Sequence, residues 1–336
     1  MSLKTTTGYF FEDFSLGQEL IHATPRTLTE GDASLYTALY GSRFAINSSD
    51  IVAMNLGFEG APIDDMLVFH IVFSKTVPEV SISASANLGY SNGVFGIAVY
   101  PGDTLLVRSQ VIGLNESSNG QSGVVYIQTQ SRNQRGDMVL DYVRWVLIPK
   151  RDPASNAPID AVPELPTRVD PEHFTLSPEL NFETYETDLC GSEYMFNDYE
   201  VGEKIDHINS MTNDATEYKM AAQLYQNPLQ KNLIYEGHVI SQARVLSFNG
   251  LANAFKIAAI NGCSYYNPTS DGDTVSAWSE ILEKAPITNR EDVGALRIRT
   301  FVTKNKSSTK FPDKDSDGKY HANIILDFDY WALMPI

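Results

Sequence analysis

Apolar residues along the chain fall into two kinds of run. At 65–75 (DMLVFHIVFSK) and again at 237–263 (GHVISQARVLSFNGLANAFKIAAINGC) they occur on nearly every side, which predicts long helices wrapped by other structure. Each is preceded by a shorter helical pattern, at 30–40 and at 215–225. Each is followed by three runs in which apolar and polar residues alternate. These lie at 103–114, 124–131 and 139–148 in the first half, and at 273–282, 295–304 and 324–333 in the second. A period of two marks half-buried antiparallel strands, and a long helix wrapped by such a sheet is an α+β arrangement.

The pattern repeats because the sequence does. FEDFSLG at 11–17 recurs as FNDYEVG at 196–202, His22 as His207, Leu39-Tyr40 as Leu224-Tyr225, and Gly102-Asp103-Thr104 as Gly272-Asp273-Thr274. Asp141, Trp145 and Pro149 recur as Asp327, Trp331 and Pro335. Two related domains in tandem are expected, 1–150 and 196–336, with their sheets joined edge to edge. The second copy is shorter than the first between Tyr225 and Gly272, and an extra loop near SSTKFPDKDSDGKYH restores its length. Between the copies, 151–195 carries Pro153, Pro158, Pro163, Pro166, Pro171 and Pro178 and reads as an extended crossing linker rather than a packed element.

Composition narrows the function. A formal charge of −17 argues against a general binder of nucleic acid or anionic membrane, both of which need a positive field, and no stretch approaches membrane-spanning length. The two cysteines, Cys190 and Cys263, form neither a metal cluster nor a disulfide framework, which points to a reducing cytoplasm. The fingerprints of dinucleotide, P-loop, serine-elbow and zincin sites are missing from the sequence. Asp313, Asp315 and Asp317 open like a calcium loop, but Ile324 stands where a bidentate glutamate belongs, so a solvated acidic loop is the better reading and no metal is expected.

The candidate chemistry gathers at the second long helix. Its first turn, at Gly237 and His238, presents backbone N–H groups suited to a carbonyl oxygen that gains negative charge. The competing reading is a buried structural helix with a glycine at its entry. His22 and His207 are repeat-equivalent and read as structural, and His70 reads as a core residue. Arg297, Arg299 and Lys304 belong to a basic set on an acidic background. They fit either an ordinary sheet face or a phosphate grip for a nucleotide-tailed ligand.

These residues resemble those of the MaoC-like enoyl-CoA hydratases, which have a double hot-dog fold. The blocks FHIVFSKTVPEVSISASANLGY (69–90), VYPGDTL (99–105), YVRWV (142–146), GHVISQARVLSFNGLANAFKIAAING (237–262), GDTVSAWSEIL (272–282) and LDFDYWALMP (326–335) are similar to the mesaconyl-CoA hydratase branch, over nearly the whole chain. The resemblance implies reversible hydration of 2-methylfumaryl-CoA to β-methylmalyl-CoA. It implies an acyl-CoA thioester partner, coenzyme A only as part of the substrate, and a homo-oligomer. It also implies an Asp and a His, four residues apart, in the loop before the hot-dog helix. Here that spacing falls on Asn227 and Asn232, and in the first half on Ser42 and Asn47. Asparagine is no base near neutral pH. Three explanations stay open: a segment missing from this sequence, loss of activity in a thioester-binding paralogue, or a base supplied by another group such as His238. Tyr235 beside the helix start is expected to contact substrate. Arg244 and Arg43 are candidates for the substrate's free carboxylate, with a structural ion pair as the competing and preferred reading for each.

Overall fold

The computed structural model describes residues 4–5, 7–156, 158, 160–228 and 236–336. In chain order the first half holds β1 (Glu19–Thr27), α1 (Glu30–Tyr40), α2 (Ala45–Ser48), α3 (Asp50–Asn55), α4 (Asp65–Val80), β2 (Ala86–Phe95), β3 (Thr104–Glu116), β4 (Ser122–Arg132) and β5 (Met138–Pro149). The crossing segment contributes α5 (Thr187–Cys190), and the second half β6 (Lys204–Thr212), α6 (Ala215–Leu224), α7 (Glu236–Leu246), β7 (Lys256–Tyr265), β8 (Thr274–Pro286), β9 (Val293–Lys304) and β10 (Ile324–Pro335).

Local chemistry starts these helices where the sequence predicts. Thr29 and Asp32 close a reciprocal cap on α1, and Gly41, left-handed at φ 66°, ends it. Asp214 caps α6 by accepting from Thr216 N at 2.7 Å. The six alternating runs are strands, as the period of two requires.

The ten strands of the described residues form one antiparallel sheet in the order β1-β3-β4-β5-β2-β7-β10-β9-β8-β6. The halves meet where β2 pairs with β7, Tyr90 opposite Cys263 and Val94 opposite Ala259. The expected edge-to-edge junction is therefore present, and the tandem hot-dog expectation holds: α4 and α7 lie side by side in one core with the inner sheet face.

Two expectations fail for one physical reason. The run 237–263 is not a single helix, because α7 ends at Leu246, the chain turns through Gly250 at φ 108°, and β7 begins at Lys256. The crossing segment is not a bare linker either. Its Val169, Phe174, Leu180 and Phe182 pack with Phe255, Ala259 and Trp331 on the outer sheet face. Trp331 Nε1 donates to Val169 O at 3.1 Å, and Val169 N donates to Asn261 Oδ1 at 2.7 Å. With helices on one face and this strap on the other, β7 is buried on both sides. Its sequence therefore loses the alternation that distinguishes a strand from a buried helix.

Candidate active site

Where α4 and α7 run together, hydrogen bonds link buried polar side chains of the two halves. Tyr36 Oη donates to Ser241 Oγ at 3.0 Å, and His70 Nε2 meets the same Ser241 oxygen at 2.9 Å. Tyr40 Oη lies 2.8 Å from Tyr225 Oη and 3.0 Å from His238 Nδ1. Burial pushes His238 down to about 4; burial and then the neighbouring His238 take His70 to about 3. Both imidazoles are neutral at neutral pH. Burial raises Tyr40 and Tyr225, so their hydroxyls keep their protons. His238 Nε2 is buried with no hydrogen-bond partner among the described residues. Beside the start of α7 the protein thus holds a ring with one nitrogen fixed by Tyr40 and the other open. It is wholly free base at pH 7, and a weak one.

The two helix starts differ. In α4 the first turn is taken by carboxylates: Asp64 Oδ1 accepts from Met66 N at 2.8 Å, while Asp65 accepts from Ile257 N at 2.9 Å and pairs with Lys256 at 3.3 Å. Burial lifts Asp64 to about 6, against the pull of Arg244. The loop before it is inert, with Ser42 Oγ donating to Asp64 Oδ2 at 3.3 Å and Asn47 Nδ2 to Pro62 O at 3.0 Å. A thioester oxygen would meet negative charge there. α7 opens at Glu236, and the next two residues, Gly237 and His238, are both buried and neither is anionic.

Asn227 is buried at the exit of α6, with its backbone N–H donating to Ala222 O at 2.8 Å. Asn232 and Tyr235 lie outside the described residues. Arg244 turns toward the first half. Its guanidinium carbon sits 3.5 Å from the Phe44 ring centre, Nη2 donates to Ala254 O at 2.5 Å, and Nη1 has no hydrogen-bond partner among the described residues. Arg43 covers the ring of Phe248 at 4.4 Å.

Arg297 and Arg299 share a face, as their spacing requires, but it is the one turned away from the helices. Arg297 bonds both oxygens of Asp329 at 3.0 and 2.7 Å, and Arg299 both oxygens of Asp327 at 2.9 and 2.5 Å. Lys304 Nζ donates to Pro268 O. The sheet-face reading describes this geometry. A phosphate would have to displace a bidentate carboxylate from each arginine. His22 and His207 are structural in matching ways, bonded to Ser109 at 2.8 Å and Ser279 at 2.7 Å.

Sequence reasoning missed the tyrosines and Lys75. Tyr40 and Tyr225 were visible as a repeat pair, the signal that could have marked them. Lys75 is a lone cation inside an apolar helical run, and its Nζ donates to Gln226 Oε1 at 2.7 Å.

Residues 3–180 match the sequence profile of mesaconyl-CoA hydratase. The chain is 51% identical over its whole length to a β-methylmalyl-CoA dehydratase of Chloroflexus aurantiacus, of which it covers 99%. The chain belongs to the mesaconyl-CoA hydratase family. A mesaconyl-CoA hydratase of Cereibacter sphaeroides is 48% identical over 99% of this chain and all of its own. The crystal structure of a MaoC domain dehydratase from Chloroflexus aurantiacus superposes with a TM-score of 0.97 at 51% identity, covering 99% of both chains. A Mycobacterium tuberculosis protein with a double hotdog fold has a TM-score of 0.78 at 19% identity over 98% of this chain and 99% of its own, and shows the fold alone. Within the mesaconyl-CoA hydratase family, then, this chain has one helix start closed by Asp64 and Asp65 and one in which Gly237 and His238 follow Glu236. Asparagines stand in the second-half loop at the spacing read for an acid–base pair.

Proposed function

We propose that the protein is a hydro-lyase that adds water reversibly across the double bond of mesaconyl-CoA, giving β-methylmalyl-CoA. Full-length similarity to relatives named for that reaction carries the reading. The first turn of α7 at Gly237 and His238 polarises the thioester carbonyl, stabilising the enolate-like state more than the ground state. Hydroxide adds to the carbon β to the thioester and a proton to the α carbon. His238 is the candidate proton carrier, since its Nε2 is open and Tyr40 holds Nδ1. Coenzyme A enters as part of the substrate, and no other cofactor is required. A homo-oligomer in the cytoplasm is the expected setting, in keeping with two free buried thiols.

The test follows the loss of enoyl-thioester absorbance on adding purified protein to mesaconyl-CoA, with crotonyl-CoA for comparison. Fast hydration of the dicarboxylyl thioester with little of crotonyl-CoA supports the reading. Tight binding of both without turnover would replace it with a thioester-binding function.

A further inference from the structure

Lys75 projects from α4 into the second half and is 6% exposed. Its one described hydrogen-bond partner is the neutral amide of Gln226. The nearby Arg26 donates to Leu224 O and has its charge balanced by Asp32 at 2.5 Å. No described carboxylate does the same for Lys75. Burial, and secondarily the Arg26 cation, push its pKa down. An uncompensated buried ammonium is unfavourable, and the usual remedy is an anion.

Its position says which anion. Gln226 is solvent-exposed and sits in the loop after α6, beside Tyr225. The Tyr225 hydroxyl leads through Tyr40 to His238, next to Gly237. Of the other cations considered, Arg297 and Arg299 are held by aspartates and Lys256 by Asp65, while Arg244 lies over the Phe44 ring in the field of Asp64 with Nη2 on Ala254 O. We propose that Lys75 Nζ receives the free carboxylate of the dicarboxylyl substrate, with the Gln226 amide holding the ammonium in place. The proposal rests on the hydratase reading above and adds to it the residue that selects a carboxylate over a methyl group.

The test separates the two. Methylsuccinyl-CoA and 2-methylbutanoyl-CoA are saturated thioesters that differ only in carboxylate against methyl. Calorimetric titration of each into the parent, Lys75→Met, Lys75→Gln and Lys75→Arg reads recognition without turnover. The parent should prefer methylsuccinyl-CoA by about 10- to 100-fold, the range for a charge-assisted hydrogen bond. Lys75→Met and Lys75→Gln should lose that preference and keep 2-methylbutanoyl-CoA binding within about threefold. Lys75→Arg should retain part of it. Removing an unpaired buried charge should leave the fold intact, which circular dichroism checks. A preference that survives in Lys75→Met and Lys75→Gln, or equal loss of both ligands, overturns the proposal. Mesaconyl-CoA hydration by the parent is assayed in parallel. If the parent shows none while the binding preference still depends on Lys75, the hydratase reading falls and the carboxylate site stands.

Discussion

On the hydratase reading, Gly237 leaves the first turn of α7 open to an incoming carbonyl, and Gly237→Val puts a branched side chain there. Hydration of mesaconyl-CoA should fall by about 100- to 1000-fold, the range for losing an oxyanion donor, with the far-ultraviolet spectrum and melting temperature near those of the parent. Undiminished turnover would remove Gly237 from that role. The buried histidines set the acid limit of stability. His207 is held at about 4 by burial, against 6.5 in the open chain. Above pH 6.5 both states are neutral and its contribution is fully present. As pH falls toward 4 the unfolded chain binds protons that the folded one refuses, so stability is lost, by about 2 kcal/mol per such histidine at pH 5. His70 and His238 act alike, while Asp64, raised to about 6, acts the other way because its folded form takes up a proton first. Urea unfolding at pH 7 and 5 should show His207→Gln losing about 2 kcal/mol less than the parent on acidification. An unchanged pH slope would mean that His207 is already charged in the fold.

Among the elements, the strap at 151–195 decides how the sheet is covered. Phe182 stacks on Phe255 with ring centres 4.5 Å apart and is buried against β7. Phe182→Ala should therefore cost about 3–5 kcal/mol in urea unfolding, the range for a deleted core phenylalanine. A loss below about 1 kcal/mol would return the segment to a tether. The same burial explains what could be read from sequence. Runs with one wet face, such as β4 with its strict alternation, declare themselves by period. β7 does not, because Ala258 and Ala259 face the strap while Ile257 and Ile260 join the helix-side core. Prolines marked the strap as irregular without revealing that Val169 and Phe174 are core residues. At the candidate site, helix-start chemistry alone singled out Gly237 and His238. The Tyr225–Tyr40–His238 chain was not legible, since partners from two halves become neighbours only when α1 packs against α6 and α7. Lys75 was hidden for the same reason: its partner Gln226 is remote in sequence.

For the whole molecule, duplication has produced halves that share a fold and divide the work. The β2–β7 seam makes the sheet continuous, and the core bonds cross it: Tyr36 to Ser241, His70 to Ser241, Tyr40 to Tyr225, Lys75 to Gln226. In the proposed site one half supplies the start of α7 and the other supplies Tyr40 and Lys75, so neither half would hold that site alone. Such sharing predicts a single cooperative unfolding unit despite the tandem architecture. Trp145 is the one tryptophan of the first half and is only partly buried, while Trp278 and Trp331 are buried in the second. In Trp145→Phe, fluorescence therefore reports the second half, and far-ultraviolet dichroism reports both. The two urea transitions should coincide in midpoint and slope. A dichroism transition that splits from the fluorescence one would show that the halves melt separately. The bonds across the seam would then position the site without holding the halves together.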